Sequence, residues 1–179
     1  KAAADADVVL FFGGLNKDHH QDSEGCDRIA YGLPYNQDNV IEALAAANPN
    51  LAVCIISGNA VAMPWVAQVP AIVECWYCGS QAGNSIADVV FGKVNPSGKL
   101  PFTFPVKIED SPAHALDAYT CGPDVKYKES IYVGYRWFDT KEIKPLFAFG
   151  HGLSYTEFEY SDFKASSSVS ANGTLKASV

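Results

Sequence analysis

The sequence predicts an α/β fold: a partial α/β/α sandwich on a mostly parallel sheet, followed by the opening of an antiparallel β domain. Three observations carry this. Short apolar runs such as Val8-Val9-Leu10-Phe11-Phe12 are continuous rather than alternating, as in strands covered on both faces of a parallel sheet. Segments with helical spacing alternate with those runs, which is the rhythm of a doubly wound layer. The last twenty or so residues turn serine-rich and strand-like.

The first run is closed by Gly13-Gly14 and reads as a strand. Leu15 to Arg28 then carries Asn16, Lys17, Asp18, His19, His20, Gln21, Asp22, Ser23, Glu24, Asp27 and Arg28 with almost no apolar residue, so it reads as a long exposed loop. Loops of that length in compact domains are usually functional or disordered. Between Asn36 and Ala47, Val40, Ile41, Leu44 and Ala47 share a helical face, and Asn48-Pro49-Asn50 ends the helix. Leu51 to Ile56 is a second buried strand and Ala71 to Trp76 a third. Ser80 is expected to cap a helix whose apolar face is Ala82, Ile86, Val89 and Val90, with Gly92 as its stop.

Asn95-Pro96-Ser97-Gly98 is a turn, and Leu100, Phe102 and Phe104 alternate after it between Pro101 and Pro105, which marks an edge or extended segment. Residues 107 to 128 read as irregular. Aromatic-rich stretches follow at Tyr132 to Phe138 and Phe147 to Tyr155. The expected division is therefore 1–105 for the sandwich, 106–157 for an irregular segment completing it, and 158–179 for the start of a β domain.

Charge and composition exclude several function classes. A net charge of −7, with 13 Lys and Arg scattered along the chain, argues against binding a nucleic-acid backbone. No apolar stretch approaches the roughly 18 residues of a membrane-spanning helix. Of five cysteines, Cys54 and Cys75 lie in apolar runs and read as buried thiols; Cys26, Cys78 and Cys121 complete the set. Cys75-Trp76-Tyr77-Cys78 has C-x-x-C spacing but no second pair of ligands, so neither a metal nor a cofactor is expected. Asn172-Gly173-Thr174 is a formal glycosylation triplet. The first residues have no signal-peptide layout and lead straight into a strand, and the last residues alternate like a strand, so truncation is expected at both ends.

In open α/β sheets ligands sit beyond the carboxyl ends of the strands, where the acidic loop is expected. Its bland reading is a solvated surface. Its functional reading is a catalytic carboxylate, since two carboxyl groups flanking a glycosidic bond suffice for hydrolysis. Asp22 and Glu24, two residues apart in an extended stretch, would lie side by side and are poorly placed to face each other across a sugar. The partner carboxylate is therefore expected from another domain.

Several segments together resemble glycoside hydrolase family 3, specifically its C-terminal α/β sandwich. They are Gly14-Leu15-Asn16 with Asp22-Ser23-Glu24-Gly25-Cys26-Asp27-Arg28, Leu33-Pro34 with Gln37, and Ile56-Ser57-Gly58-Asn59-Ala60-Val61 with Met63 and Trp65. Further along come Trp76 to Asn84, Ala87 to Gly92, Asn95 to Pro101, Gly134-Tyr135-Arg136 and Phe149 to Tyr155. The resemblance runs through roughly residues 5 to 163, in order.

It implies a retaining, exo-acting β-glycosidase of the β-glucosidase type, with β-xylosidase or a broader β-glycosidase as the near alternative. An N-terminal barrel, absent from this sequence, would supply an aspartate nucleophile. The Glu-Gly-x-Asp-Arg pattern of the family's sandwich loop falls on Glu24, Gly25, Asp27 and Arg28, so Glu24 is the implied acid/base. Asp22 and Arg28 are the candidates for sugar contact, although an Asp27–Arg28 ion pair orienting the loop is the plainer expectation for Arg28. A general acid works best with its pKa near the working pH, and a carboxyl covered by substrate beside another carboxylate is shifted that way.

Trp65, Trp76, Tyr77 and Trp137 are possible sugar platforms, but core or interface packing is expected of Trp76. His19 and His20 receive no catalytic role. The resemblance further implies that the sandwich's first strand and helix precede Lys1, that a fibronectin type III-like domain starts near Phe158, and that the fragment alone is inactive. Its exposed sheet edge calls for a completing chain. The implied partners are a β-linked oligosaccharide or glycoside and the barrel domain, with a secreted or periplasmic location. The rival of another class is a non-catalytic carbohydrate-binding or interaction module. A flavodoxin-like domain is disfavoured, because an acidic loop follows Gly13-Gly14 where a phosphate would sit.

Overall fold

The computed structural model describes residues 1–18, 20–119 and 123–179, so His19 and Cys121 lie outside the described residues. Three strands form a parallel sheet in the order β1 (Val9–Gly14), β2 (Leu51–Ile56), β3 (Ala71–Glu74). Val9 pairs with Leu51 and Gly14 with Ile56, and Ala52 pairs with Ala71 through to Ile55 with Glu74. With a side-chain period of two, this register puts Val9, Phe11, Leu51, Val53, Ile55 and Ile72 on one face. That face carries the core, together with Ile41 and Leu44 of α1 (Gln37–Ala47), Met63 and Trp65 from the β2–β3 connection, and Phe104.

The central strand is the most enclosed, with Leu51, Val53, Cys54 and Ile55 all buried. The first strand departs from expectation. A run covered on both faces was predicted, but β1 lies at the sheet edge and exposes Leu10 by 36% and Phe12 by 52%. The continuous apolar character of Val8 to Phe12 is thus satisfied on one face only within this chain.

The second helix of the layer is α2 (Ala82–Val90). Its expected cap is not formed: Ser80 sits inside a short 3-10 turn, Gly79–Gln81, that runs directly into α2 without a side-chain capping bond. The third strand also ends earlier than expected, at Glu74, because Trp76 adopts a left-handed backbone with φ 51° and leaves the ladder.

Leu100 to Phe104 forms no strand of its own and bends at Pro101 and Phe102 rather than running fully extended. It runs antiparallel to residues 146–151, with the Phe104 N–H donating to Phe147 O at 2.8 Å and the Leu100 N–H to His151 O at 2.8 Å. Residues 146–151 thus fold back against residues 100–104. Among the described residues before them are two α-helices invisible to periodicity, α3 (Pro112–Ala115) and α4 (Tyr135–Thr140), the latter burying Trp137 and Phe138. At the far end β4 (Lys164–Ala165) and β5 (Ala177–Ser178) make a small antiparallel pair, all of it exposed.

Candidate active site

The loop after β1 begins with a tight backbone passage. Gly14 has φ 131°, and a Cβ there would collide with the Ile56 carbonyl on the neighbouring strand, so only glycine fits. The Gln37 side chain clamps the same peptide from α1, accepting from Gly14 N at 2.8 Å and donating to Gly14 O at 2.9 Å. Leu15 then donates to Ile56 O, which delivers the loop to the carboxyl end of β2.

The loop is a built object rather than a solvated stretch. The Asp18 N–H donates to the Asn16 side chain at 2.7 Å, and Tyr35 from before α1 donates to Asp18 at 3.0 Å while receiving Gln21 at 2.8 Å. Lys17 lies 4.9 Å above the Tyr77 ring.

Asp22 is the main anchor. Its Oδ2 accepts from Gly58 N at 2.6 Å, just past β2, and from the Tyr77 hydroxyl at 2.8 Å, just past β3; its Oδ1 faces Asn59 Nδ2 at 3.5 Å. One carboxylate thus ties the loop to the ends of two strands. Charge-assisted bonds of this kind are the strong ones. Burial, and then the adjacent Asp22 charge, push the Tyr77 hydroxyl above its ordinary pKa, so it stays protonated and remains a donor.

Glu24 is placed differently. It occupies an exposed turn with Gly25, whose φ is 84°, closed by contact of Ser23 Oγ with Cys26 Sγ at 3.0 Å. Among the described residues no hydrogen bond or ion pair engages its carboxyl. The extended stretch expected to put Asp22 and Glu24 side by side is absent, because the chain turns at Glu24 while Asp22 is held against the strand ends.

Arg28 corrects another expectation. No Asp27–Arg28 ion pair forms among the described residues; Asp27 is exposed, and Arg28 Nη2 instead donates to Ala60 O at 2.7 Å, with the guanidinium 5.7 Å over the Tyr31 ring. Its Nη1 is buried without a partner, and burial pulls its pKa below the usual arginine value despite the attraction of Asp22. The loop and the strand ends face a cavity of about 890 Å³, lined among others by Asp22, Arg28, Tyr31, Tyr77, Phe102 and Phe138.

Trp65 and Trp137 are buried, and Trp76 packs on Phe102 and Phe104 at 5.7 and 6.1 Å, so these rings serve the core as expected for Trp76. Tyr77, 39% exposed, is the one of the four aromatic candidates that reaches the loop. His20 is engaged with Asp27 O at 3.2 Å.

Glu74 was missed in the sequence. The last residue of β3, it is drawn inward, accepting from Ser57 Oγ at 3.2 Å and from Trp76 N at 3.1 Å, and its Oε2 is buried with no partner among the described residues. Burial raises its pKa to about 7, with the two donors pulling the other way and Asp22 adding to the rise. A charge at the end of the apolar run Ala71-Ile72-Val73 was the only available signal, and it looks the same as an ordinary strand terminus.

Comparison with known proteins gives one consistent family. Residues 1–155 match the model described as glycosyl hydrolase family 3 C-terminal domain. The chain is 52% identical over 181 residues to β-glucosidase BoGH3A of Bacteroides ovatus and 46% identical over 180 residues to thermostable β-glucosidase B of Acetivibrio thermocellus. Those alignments cover 99% and 100% of this chain but only 24% and 23% of the relatives, so it spans about a quarter of their length. A crystal structure of β-glucosidase from Kluyveromyces marxianus in complex with glucose superposes with a TM-score of 0.85 at 40% identity, over 93% of this chain and 20% of that one.

Proposed function

Since this chain belongs to glycosyl hydrolase family 3 and forms its C-terminal domain, we propose that it supplies the acid/base group of a retaining, exo-acting β-glycosidase. The specific activity proposed is β-glucosidase, removing terminal non-reducing β-D-glucosyl residues from oligosaccharides or glycosides. Glu24 is the acid/base. The nucleophilic aspartate comes from a barrel domain outside these 179 residues.

The observation that carries this reading is the contrast between two carboxylates two residues apart. Asp22 spends its oxygens on Gly58, Tyr77 and Asn59 and fixes the loop; Glu24 stands at an exposed turn next to that anchor, and among the described residues nothing engages its carboxyl. A proton-transfer group needs a held backbone and an uncommitted side chain. In the first step Glu24 gives its proton to the glycosidic oxygen as the C1–O bond breaks and the aspartate bonds to C1. In the second it takes a proton from the water that attacks C1 and frees the aspartate.

Asp22 and Arg28 enter this proposal unequally. Arg28 lines the cavity and keeps one nitrogen, the buried Nη1, without a partner among the described residues, so it is the better candidate to donate to a sugar hydroxyl, whereas Asp22 Oδ2 already accepts two donors. Residues 158–179 are proposed as the start of a fibronectin type III-like domain after a 1–105 sandwich and a 106–157 completing segment. A secreted or periplasmic site of action goes with a β-linked oligosaccharide substrate, and cell fractionation of the host checks it.

Replacing Glu24 by Ala in the intact enzyme tests the assignment. Hydrolysis of glycosides with poor leaving groups should collapse, activated aryl glycosides should suffer far less, and azide should restore turnover. Equal losses on both substrates without azide rescue would remove Glu24 from the chemistry. A panel of aryl β-glycosides decides between glucosidase and xylosidase.

A further inference from the structure

We propose that Glu74 is a positioning residue for the loop that carries Glu24, acting through the Trp76–Tyr77 elbow at the end of β3. The proposal rests on the reading of Glu24 given above for its catalytic consequence, but not for its structural content.

The linkage is continuous. Glu74 Oε1 accepts the Trp76 N–H at 3.1 Å, and Trp76 sits in the left-handed region at φ 51°, a conformation that costs a bulky residue energy and persists only where its surroundings hold it. Two restraints do so: the Glu74 bond on the backbone and the Phe102 and Phe104 rings on the side chain. The kink turns the chain out of the sheet, and the next residue, Tyr77, donates its hydroxyl to Asp22 Oδ2 at 2.8 Å. Ser57 connects the other strand end to the same carboxyl, at 3.2 Å, one residue before the Gly58 N–H that also holds Asp22. Both donors to Asp22 Oδ2 therefore belong to residues that directly follow one bonded to Glu74.

The donor inventory assigns Glu74 a protonation state. Ser57 has one hydroxyl proton and two acceptors within reach, the Asn59 carbonyl at 2.8 Å and Glu74 Oε1. A neutral carboxyl would resolve the conflict by reversing the first of these bonds: it would donate to Ser57 Oγ, leaving the Ser57 proton for Asn59 O. The unpartnered, buried Oε2 also disfavours a full charge. Of the groups facing Glu74, Asp22 acts in the same sense, while the Ser57 and Trp76 donors pull the other way. Asp22 approaches from the β1 loop, with Arg28 compensating that charge from the same loop; Cys75 and Tyr77 follow Glu74 just past the end of β3, Cys54 reaches Cys75 from β2, and among the described residues none of these supplies a cation to Glu74 itself. Its raised pKa, about 7, agrees with this. Ionisation would leave the one Ser57 proton to serve both Glu74 and the Asn59 carbonyl and would set a second negative charge against Asp22, loosening the elbow on the alkaline side.

The test uses the intact protein as wild type, Glu74→Gln and Glu74→Ala, with hydrogen–deuterium exchange of the 15–28 loop corrected for intrinsic rates at about pH 5.5 and about pH 8.5, either side of that pKa. In the wild type, loop exchange should rise several-fold at the higher pH. In Glu74→Gln, whose amide keeps a donor and an acceptor and cannot ionise, it should stay slow at both. In Glu74→Ala it should be fast at both. In parallel, kcat/KM on an alkyl β-glucoside should fall roughly tenfold in Glu74→Ala, the scale of one lost hydrogen bond, and recover in Glu74→Gln with its alkaline limb moved upward.

Wild-type loop exchange in Glu74→Ala overturns the positioning role. An unchanged pH response in Glu74→Gln overturns the neutral-carboxyl mechanism, and this near-isosteric variant decides the matter even if the alanine variant fails to fold. Exchange behaving as described in a protein without glycosidase activity supports Glu74 and sinks the Glu24 reading instead. Glu24-dependent activity with exchange indifferent to Glu74 does the reverse.

Discussion

The strand-facing half of the β1 loop and its outward turn are built from the same kinds of residue and behave oppositely. On the strand side, Asp22 is half-buried and gathers donors from the ends of β2 and β3. At the turn, two residues later, Glu24 is exposed and unengaged among the described residues, with Gly25 supplying the left-handed backbone that reverses the chain. The difference teaches that a carboxylate's function is decided by how many donors the fold aims at it. One that is fully supplied becomes structure, while one left bare beside it keeps a proton-carrying group available on a fixed backbone.

That contrast breaks most visibly at Glu24. Glu24→Gln should lower kcat for poor leaving groups by about 10²- to 10⁴-fold, the range of general acid–base assistance. Because the side chain is exposed, its thermal midpoint should be unchanged. A clear loss of stability would erase the distinction between the two halves of the loop.

The next effect is pH-linked. Glu74 is held neutral by burial, with a pKa near 7 against an ordinary value of 4.5. Between those pH values the unfolded chain has released the proton and the folded chain retains it, so stability falls as pH rises through that window. Wild type should therefore lose up to about 3 kcal/mol relative to Glu74→Gln between pH 4.5 and pH 7 or just above, read from denaturation midpoints across pH. Parallel pH curves for the two proteins would refute it.

Asp22→Asn should cost about 2 kcal/mol, since the amide offers a weaker acceptor to Gly58 and Tyr77. Unlike Glu24→Gln, it should lower the melting temperature and the activity together. Tyr77→Phe removes one of the two close donors and should cost about 1 kcal/mol, with a correspondingly small rise in loop exchange. If Tyr77→Phe proved as damaging as Asp22→Asn, the anchor would be the tyrosine rather than the carboxylate.

The sheet was legible because buried parallel strands write themselves as apolar runs, and Leu51 to Ile56 falls where it was expected. The first helix and α2 were legible from their spacing, though not the cap of α2, because a 3-10 turn from Gly79 already supplies the start. α4 was hidden: Tyr135-Arg136-Trp137-Phe138 is too short for a period to show and reads equally well as an aromatic strand. At the site, the loop and its carboxylates were visible as a dense polar stretch, but the separate fates of Asp22 and Arg28 were not. Those depend on partners 36 and 55 residues away for Asp22 and 32 away for Arg28.

What sequence alone determined, then, was local and periodic: where apolar runs become strands, where a helical face recurs, and where a run of charges must leave the sheet. Only tertiary structure decided which carboxylate is anchored, that Glu74 turns inward, and that Trp76 is driven into a left-handed kink. The physical reason is that hydrogen bonds to a buried or half-buried charge are set by the register of neighbouring strands. In this chain Asp22 meets Gly58 and Tyr77 because β1, β2 and β3 end side by side.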